Sequence, residues 1–285
     1  MLYIFIAGLL WGTIGIFVKS LNSFGADSSL TSFMRMFFAL LIMFSIAFIK
    51  HGRKIFIRDI KILIPCVLLG LVSHGFFNIF YTASINLNGM AIASVLLYTA
   101  PVFTALASGL IFHEKFSPLK IFALIINILG CILTVTGGNI FNNHIALTGI
   151  LAGLGSGFCY GMAAIFGKSA GEKTDALIVS AYSYLFAVIF LLIFRTPNIN
   201  FMLANPRILL TGFLYGLIPT SLAYLVYYKG LREIPDTSRV PVIASIEPVA
   251  AVLIGMLIYN EDMQFANFIG VAVVLVSIII MVKAK

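Results

Sequence analysis

The chain has very little charge. Asp, Glu, Lys and Arg make up 10% of its 285 residues, against about 25% in soluble globular domains. Residues 62–112 hold none of the four, and neither do residues 121–167. Each run far exceeds the ~20 residues with which a helix crosses a ~30 Å hydrocarbon core. A water-facing surface cannot be built without polar residues, so soluble packing is excluded. Each run must instead hold two spans joined by a short turn. Cysteine is also scarce: Cys66, Cys131 and Cys159 all fall in apolar stretches and read as small packing residues, so no disulfide or metal framework is expected. HExxH, paired Cys-x-x-Cys and nucleophile-elbow motifs are missing, which leaves catalysis and cofactors without support. Gly167-Lys168-Ser169 resembles the tail of a phosphate loop, but Met162 stands where the earlier glycine belongs and no strand precedes it.

What is present is apolar. Hydrophobic residues make up 61% of the chain and the mean hydropathy is +1.10, so the expectation is an all-α integral membrane protein. The net charge of +8 does not point to nucleic acid, because the basic residues sit in short loops where they report orientation. The first apolar stretch lacks a basic leader and a small-residue cleavage site and reads as the first helix, not a signal peptide. Charges and turn residues predict ten transmembrane helices near 2–19, 28–49, 61–84, 90–112, 118–137, 146–167, 175–195, 207–229, 238–259 and 263–282. Asn86-Leu87-Asn88-Gly89 divides the first long run; Gly137-Gly138-Asn139 with Asn142-Asn143 divides the second. With the N-terminus inside, the inner segments carry 14 of the 18 Lys and Arg and the outer ones only Lys19, Arg195 and Arg207, Arg35 being intramembrane. That bias puts both termini in the cytoplasm.

The chain also repeats itself. Gly8-Leu9-Leu10-Trp11-Gly12 through Ile16-Phe17-Val18-Lys19 matches Gly157-Phe158-Cys159-Tyr160-Gly161 through Ile165-Phe166-Gly167-Lys168 at an offset of 149. At an offset of 147, Tyr81, Val95, Pro101 and Glu114 match Tyr228, Val242, Pro248 and Glu261. The halves are therefore 1–140 and 141–285, five helices each. An odd number of crossings per half inverts the second half, giving two inverted five-helix repeats around a central site.

Ten spans in two halves, Trp11-Gly12 in the first helix, Arg35 in the second, Pro101 before Glu114, and Glu247-Pro248 before Glu261 together resemble the EamA family of the drug/metabolite transporter superfamily. The resemblance covers the whole chain. It implies a basket of helices around a cavity lined by helices 1, 3, 4, 6, 8 and 9, and a cargo drawn from amino acids, metabolites, nucleotide-sugar-like compounds or drugs. One departure is Ala100, which stands at the position matching Glu247, so a coupling acid would be one-sided.

Glu247 lies about nine residues into the ninth helix, hence ~13.5 Å deep, where a carboxylate costs at least ~2.5 kcal/mol and turns toward a cavity or partner. It is read either as a protonatable coupling or substrate-binding acid or as a structural acid beside a proline kink. Arg35, nearer the outer end of helix 2, is read as structural, snorkelling or paired with a neighbouring helix. Pro101 and Pro248 free the carbonyls of Leu97 and Ala244 and read either as matched hinges at the cavity or as kinks set by packing alone. His74, Asn78 and Tyr81 share one face of helix 3; Thr220, Tyr224 and Tyr227 share one face of helix 8. Trp11 and Tyr160, related by the repeat, read either as aromatic wall or as interfacial anchors, and Tyr98, before the Pro101 kink, as a further contact. Gly149, Gly153, Gly157 and Gly161 form a close-packing stripe.

The expected function is secondary transport by alternating access, foremost efflux of amino acids or related compounds, with Trp11, His74, Asn78, Tyr98, Tyr160, Tyr224 and Glu247 on the solute and protons as the coupling ion. The alternatives are import of a cationic or organic-cofactor solute, and a non-transporting membrane enzyme or scaffold. The expected partners are a small-molecule substrate and membrane lipid, the expected unit is a monomer, and the expected location is the bacterial inner membrane.

Overall fold

The computed structural model describes residues 1–138 and 146–284. Among them ten helices are long and apolar enough to cross a membrane: α1 (Leu2–Ser23), α2 (Ser28–Ile55), α3 (Ile60–Met90), α4 (Ile92–Phe112), α5 (Pro118–Thr136), α6 (Leu147–Gly171), α7 (Ala176–Phe194), α8 (Pro206–Glu233), α9 (Thr237–Tyr259) and α10 (Phe265–Lys283). The chain is thus an all-α, multi-pass membrane protein. Local chemistry sets the ends. Asp27, Asp59 and Asp175 cap α2, α3 and α7, each accepting from a backbone N–H of the first turn. Gly89 turns α3 into α4 at φ 82°, a left-handed conformation that suits glycine. Gly137 and Gly138 close α5 at φ 58° and 87°. Asn139, Asn142, Asn143 and the 140/141 boundary lie outside the described residues.

Helix pairing gives the molecule an internal symmetry. α2 runs antiparallel to α7: Lys50 Nζ bonds Asp175 Oδ2 at 3.1 Å, and Ser29 Oγ donates to the Arg195 carbonyl at the far end. α5 runs antiparallel to α10, with Asn127 Nδ2 donating to Ser277 Oγ (2.8 Å) and Asn267 Nδ2 to the Thr134 carbonyl (2.9 Å). α1 lies antiparallel to α8, where Phe17 stacks on Tyr215 and Ile4 meets Gly230. In the same way α6 lies antiparallel to α3, where Gly149 meets Asn88 and Gly155 meets Phe80. The repeated glycines bring backbones together. A Cβ on Gly8 of α1 would sit 2.8 Å from the Ala244 carbonyl oxygen of α9, and one on Gly161 of α6 would sit 2.8 Å from the Ala100 carbonyl oxygen of α4. The pairing maps onto itself when α1–α5 are exchanged for α6–α10.

Four irregularities follow the same exchange. α4 is interrupted at Tyr98–Thr99 and α9 at Ser245, each three residues before its proline, Pro101 or Pro248. α3 widens into π-helical turns over Leu69–Phe76, and α8 over Leu217–Leu222. Pro219 takes the N–H from the Tyr215 carbonyl, and Thr220 Oγ1 donates to that carbonyl instead at 2.9 Å. Such single-turn widenings cluster at functional sites because they turn side chains and backbone inward.

Candidate functional site

Between the halves lies a cavity of about 80 Å³. A water needs ~10–15 Å³ by the same measure, so the space holds several waters or a small polar solute. Glu247 enters it from the first turn after the break in α9, where the N–H groups of the new helix favour negative charge. Tyr160 of α6 donates its hydroxyl to Glu247 Oε2 at 2.7 Å. Arg35 of α2 enters the same cavity. Its Nε donates to Thr220 Oγ1 at 3.2 Å, in the widened part of α8, and its guanidinium carbon lies 5.5 Å from the Tyr215 ring centroid. No salt bridge joins Arg35 to Glu247, or either to any other described residue.

The polar wall is only partly satisfied. Asn78 Nδ2 donates to Ser32 Oγ at 2.6 Å. Asn78 Oδ1, Ser73 Oγ, His74 Nε2 and Trp11 Nε1 are buried without a hydrogen-bond partner, and all four residues line the cavity. Unpaired polar atoms in the interior cost roughly 1–3 kcal/mol each, and four of the ten such side-chain atoms among the described residues belong to this one wall. His74 also packs edge-on against Tyr224, with centroids 5.1 Å apart.

One side of the cavity is closed by an aromatic layer. Trp11 lies 5.0 Å from Tyr224, 5.1 Å from Tyr227 and 6.3 Å from Tyr160, centroid to centroid. Beyond it lie two small recesses, about 10 Å³ each. Further out, a polar latch joins α4, α6 and the α8–α9 loop. Glu114 accepts from the backbone N–H of Thr237 (2.6 Å) and Ser238 (3.0 Å) and pairs with Lys168 (3.4 Å). Lys168 also reaches the Pro235 carbonyl (2.7 Å), and Lys120 pairs with Asp236. The cavity extends the other way, toward Ser32, Asn78 and Leu191 near the end that carries Lys19.

A sequence model of the EamA-like transporter family matches this chain twice, over residues 1–136 and 147–283. The chain belongs to that family. Its relatives include an uncharacterized transporter of Archaeoglobus fulgidus, 26% identical over 97% of this chain and 94% of that protein. An uncharacterized inner membrane transporter of Salmonella typhimurium, YicL, is 24% identical over 98% and 94%. The threonine/homoserine exporter RhtA of Escherichia coli K12 is 25% identical over 81% and 75%. A solved crystal structure has the same fold at a TM-score of 0.81 and 16% identity, over 98% of this chain and 94% of that one.

In this EamA-like transporter, six of the seven expected solute contacts line one cavity: Trp11, His74, Asn78, Tyr160, Tyr224 and Glu247. Tyr98 does not. It lies with Pro101 in a recess on the far side of Tyr160 and Glu247, because the interruption at Tyr98–Thr99 turns this part of α4 toward α5 and α9. Pro248 is buried next to Glu247. Arg35 departs from the snorkelling expectation: it turns inward, and its partner is the neighbouring helix α8. α2 and α7 line the cavity through Ser32, Arg35, Met36 and Leu191, in addition to the helices that the family resemblance implied. Ser32, Ser73, Phe77 and Tyr215 are wall residues that sequence reasoning left out. The polar stripe on α3 contained the signal for Ser73, which precedes His74, but nothing local marked Tyr215.

Proposed function

We propose that this chain is a secondary transporter that exports small metabolites, foremost amino acids or related compounds, from a bacterial cytoplasm by alternating access. The observation that carries this is the polar cavity shared by both halves, latched on one side only. The relatives named threonine/homoserine exporters support the cargo class. We take residues 1–140 and 141–285 as two oppositely inserted repeats. The antiparallel pairing of α2 with α7 and of α5 with α10 supports this, since equivalent helices then run in opposite directions. Both termini are assigned to the cytoplasm, on the side of the Lys168–Glu114 latch, where Lys50, Lys61, Lys115, Lys120, Lys173 and Arg239 also gather. Transport then requires that latch to open while the Lys19 end closes, with α4 and α9 bending at the breaks before Pro101 and Pro248.

Protons are the proposed coupling ion and Glu247 the carrier, because it is the one carboxylate on the cavity. The test is counterflow in vesicles holding the purified protein, with and without an imposed pH gradient. Glu247→Gln is expected to abolish the response to the gradient. Gradient-driven uptake that survives unchanged in Glu247→Gln removes proton coupling through this residue. Import of a cationic solute draws support from Glu247 and the ring faces of Trp11 and Tyr224, but Arg35 on the same cavity repels a bare cation.

A further inference from the structure

Two opposite charges share the cavity and do not meet. Arg35 has no carboxylate of the protein within salt-bridge distance, and Glu247 has no cation. Arg35 Nε is held by Thr220 Oγ1, which steers the guanidinium, and Glu247 is held by Tyr160. Enclosed charges are expensive unless compensated. A cationic guest would compensate Glu247 and be repelled by Arg35, while an anionic guest would do the reverse. A guest carrying both charges close together compensates both at once, and each wrong partner is rejected by the charge it fails to match.

From this we infer that the cavity recognises a small zwitterion. Arg35 takes the carboxylate through its planar donors, Glu247 takes the ammonium, and the unpaired polar atoms of the wall meet what these two pairings leave. Resting on the transporter reading above, the inference narrows its cargo to zwitterions whose two charges lie close together, as in α-amino acids. Size fits: about 80 Å³, at ~10–15 Å³ per water, is room for roughly five to eight waters, enough for an α-amino acid. The unpaired atoms support it too: Trp11 Nε1 is a donor, Asn78 Oδ1 an acceptor, and Ser73 Oγ and His74 Nε2 lie between them in type. Three of these residues, Trp11, Ser73 and His74, are at most 4% exposed. With Glu247 and Arg35 engaged, an ammonium and a carboxylate keep about two donors and two acceptors, which these atoms can meet. The protein has no use of its own for them among the described residues.

The test uses the full-length protein in detergent and three related compounds chosen for the charges they carry. Threonine carries both charges, threonine methyl ester only the cation, and N-acetylthreonine only the anion. A ligand bound only to the folded state raises its apparent stability. Threonine is expected to raise the melting temperature at millimolar concentration, and the two capped compounds at least about tenfold more weakly. Arg35→Gln is expected to weaken threonine about tenfold or more and to narrow the gap between threonine and its ester. Glu247→Gln is expected to narrow the gap with N-acetylthreonine instead. The comparison of compounds on the unaltered protein stands even if either variant folds poorly. Equal shifts from threonine and its ester, or full threonine binding by a folded Arg35→Gln, would overturn the inference. So would counterflow of some other solute with no response to any zwitterion, an outcome that leaves the transporter reading intact. Vesicles that move no solute at all would overturn both.

Discussion

The two ends of the molecule carry the same pair of residues in unlike surroundings. Glu114 and Glu261 are related by the repeat, as are Lys19 and Lys168, and the pairs form as Lys168–Glu114 at one end and Lys19–Glu261 at the other. The backbone beneath them is alike. Each glutamate follows a left-handed cap residue, His113 (φ 56°) or Asn260 (φ 51°), and each sends its N–H six residues back, to Ser108 (3.4 Å) or Gly255 (3.2 Å). The surroundings differ. Lys168 and Glu114 are 11% and 8% exposed, and the backbone N–H groups of Thr237 and Ser238 complete the carboxylate's shell. Lys19 and Glu261 are 48% and 56% exposed, and Lys19 otherwise rests on the Tyr259 ring, 4.0 Å from its centroid. The worth of an ion pair is thus set by what encloses it, and this conformation is fastened at one end.

The largest expected effect breaks that contrast from the fastened side. Glu114→Ala strips two backbone N–H groups and Lys168 of their acceptor, which for an enclosed, hydrogen-bonded charge costs about 3–5 kcal/mol. The melting temperature should fall, and the recess beyond the aromatic layer should open. A cysteine placed at Ala164, which lines that recess and is 2% exposed, should become reactive to a water-soluble maleimide once the native cysteines are replaced. An Ala164→Cys protein that stays silent with Glu114→Ala in place would show that the latch does not hold this end shut.

Glu261→Ala is the matched control at the open end. An exposed pair is worth ~0–1 kcal/mol, and salt screens it further over a Debye length of ~8 Å. The melting temperature should move by no more than that, and Ala164→Cys should remain protected. A loss as large as that of Glu114→Ala would mean that the Lys19 end is as firmly closed as the other.

Much of this contrast lies beyond the reach of sequence. The ten spans were legible because charge is excluded from the hydrocarbon, and the repeat was legible because Trp11-Gly12 and Tyr160-Gly161 stand out from an apolar background. Helix rotation was not. A span is apolar on the faces toward lipid and toward protein alike, so periodicity does not mark the inward face, and the depth of Arg35 said nothing of the direction it takes. The π-helical turns of α3 were hidden for a related reason. They depend on close contacts that form only after folding, where Gly70 meets the Ser183 carbonyl and Gly75 meets the Phe190 ring. That Tyr98 faces a neighbouring recess was not legible, because the break before Pro101 could be located but its change of direction could not. The ion pairs were half legible: the repeat aligned lysine with lysine and glutamate with glutamate, but each lysine meets the glutamate of the other half.

The smallest expected effect sharpens the comparison by being absent over most of the pH range. Asp236 sits in the latch outside the spans, against Lys120 and Arg239 Nε (3.0 Å), with Glu114 and Lys115 on the same surface. Burial alone would raise its carboxyl, but hydrogen bonds from its basic neighbours outweigh that and hold it below the ordinary 3.8. A carboxylate depressed by folding contributes stability that is present above its unfolded value and lost only as pH falls through its folded one. The difference in melting temperature between the natural protein and Asp236→Asn should therefore stay constant from pH 8 to pH 5 and shrink only below about pH 4. A difference that already fades between pH 7 and pH 5 would place a titrating group in the latch itself. The fastened end would then be a proton-sensitive gate, and proton coupling would no longer need to reside in Glu247.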